Sequence, residues 1–482
     1  MANPPPPALL DALERRLGRK GFTRDPADLA PWLQDWRKRY RGAAAAMASP
    51  ADSAEVADIV RLCAEARVPL VPQGGNSSMA GGATPGPGGD ALLLSLRRMN
   101  RIRSLSAEGN VAVAEAGVIL ARLHEAAAAV GRRFPLTLGA RGSATIGGLV
   151  STNAGGTQVL RWGTMRGLVQ GIEAVLPDGS VFNGLAPLKK DNRGYDLRQL
   201  MIGAEGTLGI VTAASLKLAP AIGSRTVAWI GLASPARALE LLRLLDNAVG
   251  DSVEGFELVP QGALELVLRH VAGTRSPLRG GHGWHVLVEA VAPMVAPSPE
   301  KALGRALNAA LELGLIEDAA IAASEAQAED FWRIRDSISE AEQKDGPAAK
   351  HDLSVEVPAM PGFMTEAADA VERRFPGTRV IAFGHLGDGN VHFNVRAPDG
   401  AGAAWLEGEG PAVTAFVHDL VTAAGGSISA EHGIGQMRIA ELARLAEPAR
   451  LAAMRAIKQA LDPHGIMNPG KLVPLAEAPL RP

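Results

Sequence analysis

The spacing of apolar residues alternates along the chain between the period of a helix and the short runs of a strand. Apolar positions three and four residues apart predict amphipathic helices at 53–67, 119–130, 235–249, 298–313, 329–344 and 448–461. Short apolar runs bounded by glycine, proline or polar residues predict strands at 68–71, 91–96, 111–116, 227–231 and 285–292. A hairpin is predicted at 167–182, and a glycine loop entering a strand at 201–218. Helices and strands mix without strict alternation, which predicts the α+β class.

The balance of helices and strands shifts near the middle of the chain. Pro220 and Gly223 interrupt the pattern within 219–224, and longer helical stretches follow. Such interruptions are typical of domain boundaries. Nine of the ten histidines lie after residue 269, so imidazole chemistry is concentrated in the second half. We therefore predict a cofactor domain followed by a substrate domain.

Two glycine-rich loops stand out in the first half, at 72–85 and 135–165. The first follows a predicted strand, where a loop of exposed N–H groups can form an anion-binding nest. The small residues of the second allow a flat, polar group to approach the backbone closely. Taken alone, each loop is also compatible with a flexible linker. Neither loop contains the dinucleotide fingerprint GxGxxG.

The segment 383–395, FGHLGDGNVHFNV, predicts a hairpin with a chemical role. Asp388 and Gly389 favour a two-residue type I′ turn, which needs positive φ at both positions. That turn places His385 directly opposite His392, with Asn394 on the same face. Two imidazoles in register predict a metal site, although a single histidine on a strand is more often a hydrogen-bonded core residue.

A third metal ligand is expected in 425–435, GGSISAEHGIG, where Glu431 and His432 follow an apolar run. Adjacent residues of an extended segment point to opposite sides. One of the pair is therefore expected to bind the metal, and the other to act as an acid or base.

A group that would hold a carboxylate is predicted further up the chain. The helix at 329–344 carries Arg335 and Ser339 on one face, and Lys350 begins the next strand. A guanidinium, a hydroxyl and an ammonium group near a metal would bind a carboxylate. An arginine on a helix is otherwise most often a solvated salt-bridge partner.

Composition and charge exclude several classes of protein. Lys and Arg number 49 against 51 Asp and Glu, with no basic stripe, which argues against nucleic acid and anionic membranes as partners. The one cysteine, Cys63, excludes an internal disulfide. No apolar run approaches the roughly 18 residues of a membrane span. The N-terminus has no basic segment leading an apolar one, so we expect a cytoplasmic protein.

Six motifs together resemble a known family. They are PQGGNSSMAGG, PLTLGARGSATIGGLVSTNAGG, GAEGTLGIVT, GHLGDGNVHFNV, SAEHGIG and NPGKLV. Their order is similar to that in FAD-dependent D-2-hydroxy acid dehydrogenases of the vanillyl-alcohol oxidase type, most of all D-2-hydroxyglutarate dehydrogenases, with D-lactate dehydrogenases next. The resemblance implies an FAD-binding domain of two α+β subdomains at 1–222. It also implies a cap (substrate) domain with a metal site at 223–445, and a C-terminal segment, 446–482, that completes the FAD site.

The resemblance implies a role for individual residues. The metal ligands, for zinc or manganese, are His385, His392 and Glu431. The catalytic base is His432. The substrate-binding residues are Arg335, Ser339, Lys350 and Asn394. The residues expected to contact FAD are Pro72, Gly74, Gly75, Asn76, Ser77, Ser78, Gly81, Pro135, Gly139, Ser143, Ala144, Gly147, Gly148, Asn153, Gly155, Gly156, Glu205, Gly209, Ile210 and Asn468.

The implied reaction is oxidation of a D-2-hydroxy acid to the 2-oxo acid, by hydride transfer to flavin N5. The metal would lower the pKa of the alcohol, and His432 would accept its proton. D-2-hydroxyglutarate is expected first and D-malate second. The reason is that Arg335 and Lys350 would remain buried and unpaired beside a monocarboxylate such as D-lactate.

The resemblance also implies an electron acceptor, and two other functions remain as alternatives. Reduced FAD would pass electrons to an electron-transfer flavoprotein or a quinone, and a homodimer is the assembly to test for. FAD is expected to be non-covalent, because 68–90 contains neither histidine nor cysteine. Two alternatives of other classes are a flavin-free metal hydrolase, which leaves the glycine loops without a role, and a non-catalytic flavoprotein subunit, which leaves the histidines without one.

Overall fold

The protein is described here by a computed structural model that covers residues 4–474. The described residues divide into two compact units. One comprises the residues up to 155, those from 163 to 220 and those from 431 onward, and the other comprises 156–162 and 221–430. The predicted division at 222 and 445 stays a prediction.

Helices and strands are mixed throughout both units, as the α+β class requires. The helices are α1 (Pro7–Gly21), α2 (Pro26–Leu29), α3 (Ser53–Ala66), α4 (Leu120–Ala128), α5 (Ile146–Ser151), α6 (Val159–Trp162), α7 (Met165–Leu168), α8 (Leu197–Met201), α9 (Pro235–Val249), α10 (Gln261–His270), α11 (Glu300–Glu312), α12 (Glu325–Asp336), α13 (Ile338–Asp345), α14 (Met360–Arg374), α15 (Ala404–Gly408), α16 (Gly410–Ala423), α17 (Ile439–Leu445) and α18 (Pro448–Leu461). The strands are β1 (Phe22–Thr23), β2 (Met47–Ala48), β3 (Leu70–Gln73), β4 (Leu92–Ser95), β5 (Ile102–Ser106), β6 (Val111–Glu115), β7 (Arg132–Arg133), β8 (Val169–Val175), β9 (Val181–Gly184), β10 (Ile210–Lys217), β11 (Ala219–Pro220), β12 (Ile222–Leu232), β13 (Val253–Pro260), β14 (Trp284–Pro293), β15 (Asp318–Ile321), β16 (Ala348–Ser354), β17 (Arg379–His385) and β18 (Asn390–Arg396).

The first unit is built on two main sheets. A four-stranded sheet has the order β1-β2-β4-β3, and a five-stranded sheet has the order β5-β6-β10-β8-β9. Helix α3 buries its apolar face, which includes Ile59 and Cys63, in the core that also contains Leu70 and Leu92. Strand β3 ends at the first glycine loop, and β10 begins after the third. The sheets therefore fix the ends of the loops that were predicted to bind a cofactor.

The second unit is built on one antiparallel sheet of seven strands, in the order β15-β12-β14-β13-β17-β18-β16. Helices α10, α12 and α13 contribute to the core over one face, around Trp229 and Phe383. Helix α14 lies on the opposite face, where the rings of Phe363 and Phe393 are 6.1 Å apart. In the part of the chain that the structure covers, no helix is both long and apolar enough to cross a membrane.

The hairpin that carries the two histidines differs from its prediction. His385 pairs with Asn390 rather than with His392, and the loop has four residues, 386–389. Among the turn residues Gly389 has positive φ, at 78°, whereas Asp388 does not, so a type I′ turn is excluded. A shift of register by two residues leaves each side chain on its original face. His385 and His392 are therefore diagonal neighbours on one face, and Asn394 shares that face as predicted.

The helix predicted at 329–344 is two helices. Helix α12 ends at Asp336 and α13 begins at Ile338, because Ser337 between them has ψ of −4°, away from the helical value. Arg335 and Ser339 therefore belong to different helices, with Arg335 half-buried and Ser339 exposed.

Candidate active site

Loops of the first unit meet where the predicted FAD-binding residues lie. A Cβ atom on Gly74 would fall on the hydroxyl of Thr145, and one on Gly75 would fall on the carbonyl oxygen of Ser143. The first two glycine loops therefore touch through backbone and small side chains, with no space for a larger residue at either position. The predicted FAD-binding residues all belong to the first unit except Gly156.

The C-terminal segment joins the same loops. The side-chain nitrogen of Asn468 donates to the carbonyl oxygens of Gly82, at 3.0 Å, and Glu205, at 2.7 Å. The backbone N–H of Glu205 donates to the carbonyl oxygen of Ser151 at 2.8 Å. Residues far apart in the sequence are thus tied to the glycine loops by hydrogen bonds.

These loops contain polar atoms that fit a bound cofactor. The hydroxyl of Thr145 and the side-chain oxygens of Gln73 and Asn468 are buried without a hydrogen-bond partner among residues 4–474. Buried polar atoms seldom stay unsatisfied unless a ligand or water completes them. Asn76 and Asn153 also have positive φ, 52° and 49°, in tight turns of the backbone. The donors, acceptors and closely spaced backbone suit a large polar cofactor such as FAD, whose individual contacts stay predictions.

In the second unit, polar residues gather on the sheet face that carries Phe383. Directly paired residues of an antiparallel sheet point to the same side. The polar pairs on this face are Glu257 with His385, His385 with Asn390, His392 with Asp352, and Asn394 with Lys350. The predicted metal and substrate residues of three strands therefore share one surface.

Glu257 joins two of the predicted site residues. Its Oε1 lies 2.6 Å from Nδ1 of His385, and its Oε2 accepts a hydrogen bond from Nε of Arg335 at 2.7 Å. Burial alone would raise the pKa of Glu257, but Arg335 and His385 outweigh burial and lower it to about 2. A charged carboxylate behind a histidine ring is a common arrangement for a metal ligand, because it orients the ring.

Glu257 was not among the predicted site residues. It lies in β13, within the run VEGFELV, where the neighbouring residues are largely apolar. A glutamate buried in such a strand is uncommon without a partner, and this is the sequence signal that points to it.

The predicted metal ligands lie close together. The ligand atoms of His385, His392 and Glu431 are within 4.8 Å of one another, and the two imidazole centroids are 5.5 Å apart. Glu431 directly follows Ala430, whose N–H donates to the carbonyl oxygen of Asp352 in β16 at 3.3 Å. Two imidazole nitrogens and one carboxylate oxygen suit zinc, or manganese, and three protein ligands leave a coordination position for substrate.

His432 lies beside the same group. Its Nε2 is 3.7 Å from Oε1 of Glu431, and Asp352, Glu431 and His432 form a second set of ligand atoms within 4.8 Å. Because both sets contain Glu431, they describe one site rather than two. The base predicted at His432 therefore adjoins the predicted metal.

The two predicted substrate cations each have a buried glutamate as a partner. Nζ of Lys350 lies 3.5 Å from Oε2 of Glu342 and donates to the carbonyl oxygen of Ser339 at 3.3 Å. Arg335 is paired with Glu257 at 2.7 Å. The prediction that both cations would be unpaired without a second substrate carboxylate is therefore wrong, and the substrate preference needs other support.

The pKa values of Glu342 and Glu257 are shifted in opposite directions. Burial raises the pKa of Glu342, and Lys350 and Arg396 offset this only in part. Nδ2 of Asn394 donates to Oε2 of Glu342 at 2.7 Å. Lys350 and Asn394 therefore lie beside the same carboxylate oxygen of Glu342.

Family models and relatives identify the chain as an FAD-dependent oxidoreductase that acts on CH–OH groups, which agrees with the glycine loops and the polar sheet face. The family description "FAD binding domain" matches residues 44–184, and "FAD linked oxidases, C-terminal domain" matches residues 223–472. The chain belongs to the FAD-linked oxidases, and within them to the FAD-dependent D-2-hydroxy acid dehydrogenases. The predicted family and enzyme class are confirmed, and the flavin-free hydrolase is excluded.

Individual relatives agree with this assignment. The chain is 38% identical over 458 residues to the mitochondrial D-2-hydroxyglutarate dehydrogenase of Arabidopsis thaliana. The matched region covers 95% of this chain and 80% of the relative. The chain is also 33% identical over 477 residues to a putative mitochondrial D-lactate dehydrogenase of Schizosaccharomyces pombe, covering 97% and 87%. The solved structure of p-cresol methylhydroxylase with substrate bound is similar with a TM-score of 0.73 and 14% identity, over 96% of each chain. That likeness confirms the vanillyl-alcohol oxidase type of fold.

We expect FAD to be released intact by acid. The first glycine loop and its flanks, 68–90, contain no histidine or cysteine. The nearby Cys63 is fully buried, and burial raises the pKa of its thiol to about 12, so it is not a nucleophile. Acid precipitation of the purified protein should leave the yellow colour in the supernatant. A yellow pellet that survives washing would show a covalent link instead.

Proposed function

We propose that this enzyme oxidises D-2-hydroxyglutarate to 2-oxoglutarate. The observation that carries the proposal is the sheet face on which the candidate metal ligands His385 and His392 adjoin Arg335, whose Nη2 lies 3.2 Å from Nε2 of His385. The 38% identity to a relative named D-2-hydroxyglutarate dehydrogenase supports the substrate. D-lactate is the alternative, supported by the relative from Schizosaccharomyces pombe, and D-malate is a further dicarboxylate to test.

The chain's own residues would perform two tasks in this reaction, and FAD would supply a third function. His385, His392 and Glu431 would hold a divalent metal, which supplies Lewis acidity toward the hydroxyl and neighbouring carboxylate. His432 would accept the hydroxyl proton. FAD, when bound, accepts the hydride from C2. The hydroxy acid thereby loses one proton and one hydride and becomes the 2-oxo acid.

The substrate's second carboxylate would be recognised by the cations of the sheet face. Lys350 extends from β16 on the face that carries His392, and Arg335 already contacts His385. Arg335 is held by Glu257, so its guanidinium is fixed in orientation before substrate binds. Asn394 and Ser339 adjoin Lys350 through Glu342 and a backbone carbonyl.

Lys350→Ala tests this assignment. We expect kcat/KM for D-2-hydroxyglutarate to fall by roughly 10 to 1,000-fold, the effect of losing a charge-assisted contact, while D-lactate turnover changes far less. The fold should survive, because Glu342 keeps the hydrogen bond from Asn394, at 2.7 Å, and the nearby positive charge of Arg396. The measurement is steady-state kinetics with D-2-hydroxyglutarate, D-malate and D-lactate, together with anaerobic bleaching of the flavin absorption by each acid.

Lys344→Ala is the matched control. Lys344 is an exposed lysine of α13, paired with Glu340 at 2.6 Å, and it should be silent with every substrate. Equal losses on D-2-hydroxyglutarate and D-lactate in Lys350→Ala, or a wild-type preference for D-lactate, would contradict a distal carboxylate site.

The remaining assignments follow from the family resemblance. We propose an electron-transfer flavoprotein or a quinone as the electron acceptor. A cytoplasmic location and a homodimer are kept as proposals.

A further inference from the structure

Glu205 binds the backbone of the loop that carries Glu431 and His432. It is buried, and its two carboxylate oxygens accept hydrogen bonds from the N–H groups of Ile434 and Gly435, each at 2.8 Å. These N–H groups belong to the second and third residues after His432. A carboxylate that accepts from consecutive backbone N–H groups fixes their direction as well as satisfying them.

Other hydrogen bonds also hold this loop: Nη1 of Arg438 donates to the carbonyl oxygen of Gly433 at 2.7 Å, and the N–H of Leu472 donates to that of Gly435 at 3.1 Å. The loop contains no regular secondary structure, and Gly433 and Gly435 have positive φ, 77° and 53°. A Cβ atom on Gly433 would lie 2.8 Å from Oε1 of Glu205, and one on Gly435 would fall on the carbonyl oxygen of Ala80. The backbone is therefore pressed between Glu205 on one side and the first glycine loop on the other.

Glu205 is itself firmly anchored. Its backbone has positive φ, 51°, an uncommon conformation for a residue with a side chain. Its N–H donates to Ser151, and its carbonyl oxygen accepts from Asn468 at 2.7 Å. Burial raises the pKa of Glu205. The hydrogen bonds from the N–H groups of Ile434 and Gly435 and the positive charges of Arg438 and Lys471 lower it by a smaller amount. The carboxylate of Glu205 therefore has hydrogen-bond donors and positive charges on several sides.

We propose that Glu205 is a positioning residue for the metal ligand Glu431 and the base His432. The resemblance places Glu205 among the residues that line FAD, but both of its carboxylate oxygens are directed at the loop that follows His432. One buried side chain thereby links a cofactor loop to the loop that carries the chemistry. The inference rests on the proposed metal-assisted function.

Glu205→Gln is the test, because it keeps the size of the side chain but turns one acceptor into a donor that faces a backbone N–H. We expect the variant to retain FAD with an unchanged visible spectrum. Its affinity for Zn²⁺, measured by competition with a chromogenic chelator, should fall by roughly 10 to 100-fold, the range for residues that orient metal ligands. At saturating Zn²⁺ its kcat should remain reduced while KM changes little, because the base is displaced.

Glu115→Gln is the matched control. Glu115 is a fully buried carboxylate of β6 in the same unit, and it accepts from the backbone N–H of Arg101 at 2.9 Å. The Glu115→Gln substitution should lower the thermal stability of the protein without changing its affinity for Zn²⁺. If Glu205→Gln fails to fold, Glu205→Asp replaces it, since the shorter carboxylate cannot reach both N–H groups and should show the same loss.

Three outcomes separate the possibilities. Weakened Zn²⁺ affinity with retained FAD supports the proposal. Wild-type Zn²⁺ affinity in the Glu205 variants overturns it, whether or not FAD is lost. Absence of Zn²⁺ and Mn²⁺ binding by the wild-type protein overturns the proposed metal site itself, which is a different result from a change confined to the variants.

Discussion

Removal of the divalent metal should abolish turnover of every 2-hydroxy acid while the flavin absorption bands persist. The proposed ligands His385 and His392 lie on the sheet of the second unit, whereas the residues predicted to bind FAD belong to the first, apart from Gly156. Loss of Lewis acidity removes several kcal/mol of transition-state stabilisation, which corresponds to roughly a 10³-fold loss or more. The measurement is activity, metal content and visible spectrum after dialysis against a chelator, followed by restoration with Zn²⁺ or Mn²⁺.

Ligand variants extend this test. His392→Ala should reproduce the loss, and added metal should not restore it. His285→Gln is the control, because His285 is a buried histidine of the same sheet that hydrogen-bonds to Trp229, at 3.1 Å, and Gln261, at 2.8 Å. Full activity in a metal-stripped wild-type sample would overturn the assignment of all three ligands.

Elements with a strong local signal were predictable from sequence. Helices α9 and α18 have the predicted bounds, 235–249 and 448–461. Each begins with a proline in its first turn, and α9 buries a regular stripe of apolar residues that includes Leu241, Leu242 and Leu245. The break at Ser337 could not be seen in the same way, because the apolar spacing continues from α12 into α13 without a glycine or proline.

The histidine hairpin shows which part of a site follows from periodicity alone. Side-chain direction in a strand depends on odd or even separation, so His385 and His392 share a face under either register. Their pairing depends on the turn, and Asp388-Gly389 belongs to a four-residue loop in which the N–H of Gly389 donates to His385 at 3.1 Å. A Cβ at Gly387 would also be 2.9 Å from Cδ2 of Leu160, a contact that no local sequence signal reveals.

The partners of Glu257 and Glu342 could not be predicted from the sequence. Glu257 is 128 residues from His385, and Glu342 is 52 residues from Asn394. The first contact depends on the order of strands, which places β13 next to β17. The second depends on the packing of α13 against the sheet. When only the sequence is known, Arg335 and Lys350 have no visible partners. They were therefore wrongly predicted to be unpaired beside a monocarboxylate substrate.

Replacing His432 by glutamine should lower kcat/KM for D-2-hydroxyglutarate by roughly 10² to 10⁴-fold, the usual contribution of a general base. Glutamine keeps a similar volume and a hydrogen-bonding side chain, but it cannot take up a proton at neutral pH. Nε2 of His432 lies 3.7 Å from Oε1 of the proposed metal ligand Glu431, and its loop is bound by Glu205 through Ile434 and Gly435. The loss should therefore appear without loss of FAD.

The measurement must separate proton transfer from metal binding, because His432 adjoins Glu431. Metal content and the visible spectrum of His432→Gln should equal those of the wild type, with the loss falling mainly on kcat. His464→Gln is the control, since His464 is an exposed histidine of the same unit and should be silent. A loss below about fivefold, or one that added Zn²⁺ restores, would assign His432 to metal binding rather than to proton transfer, since a true general base contributes at least about 10²-fold.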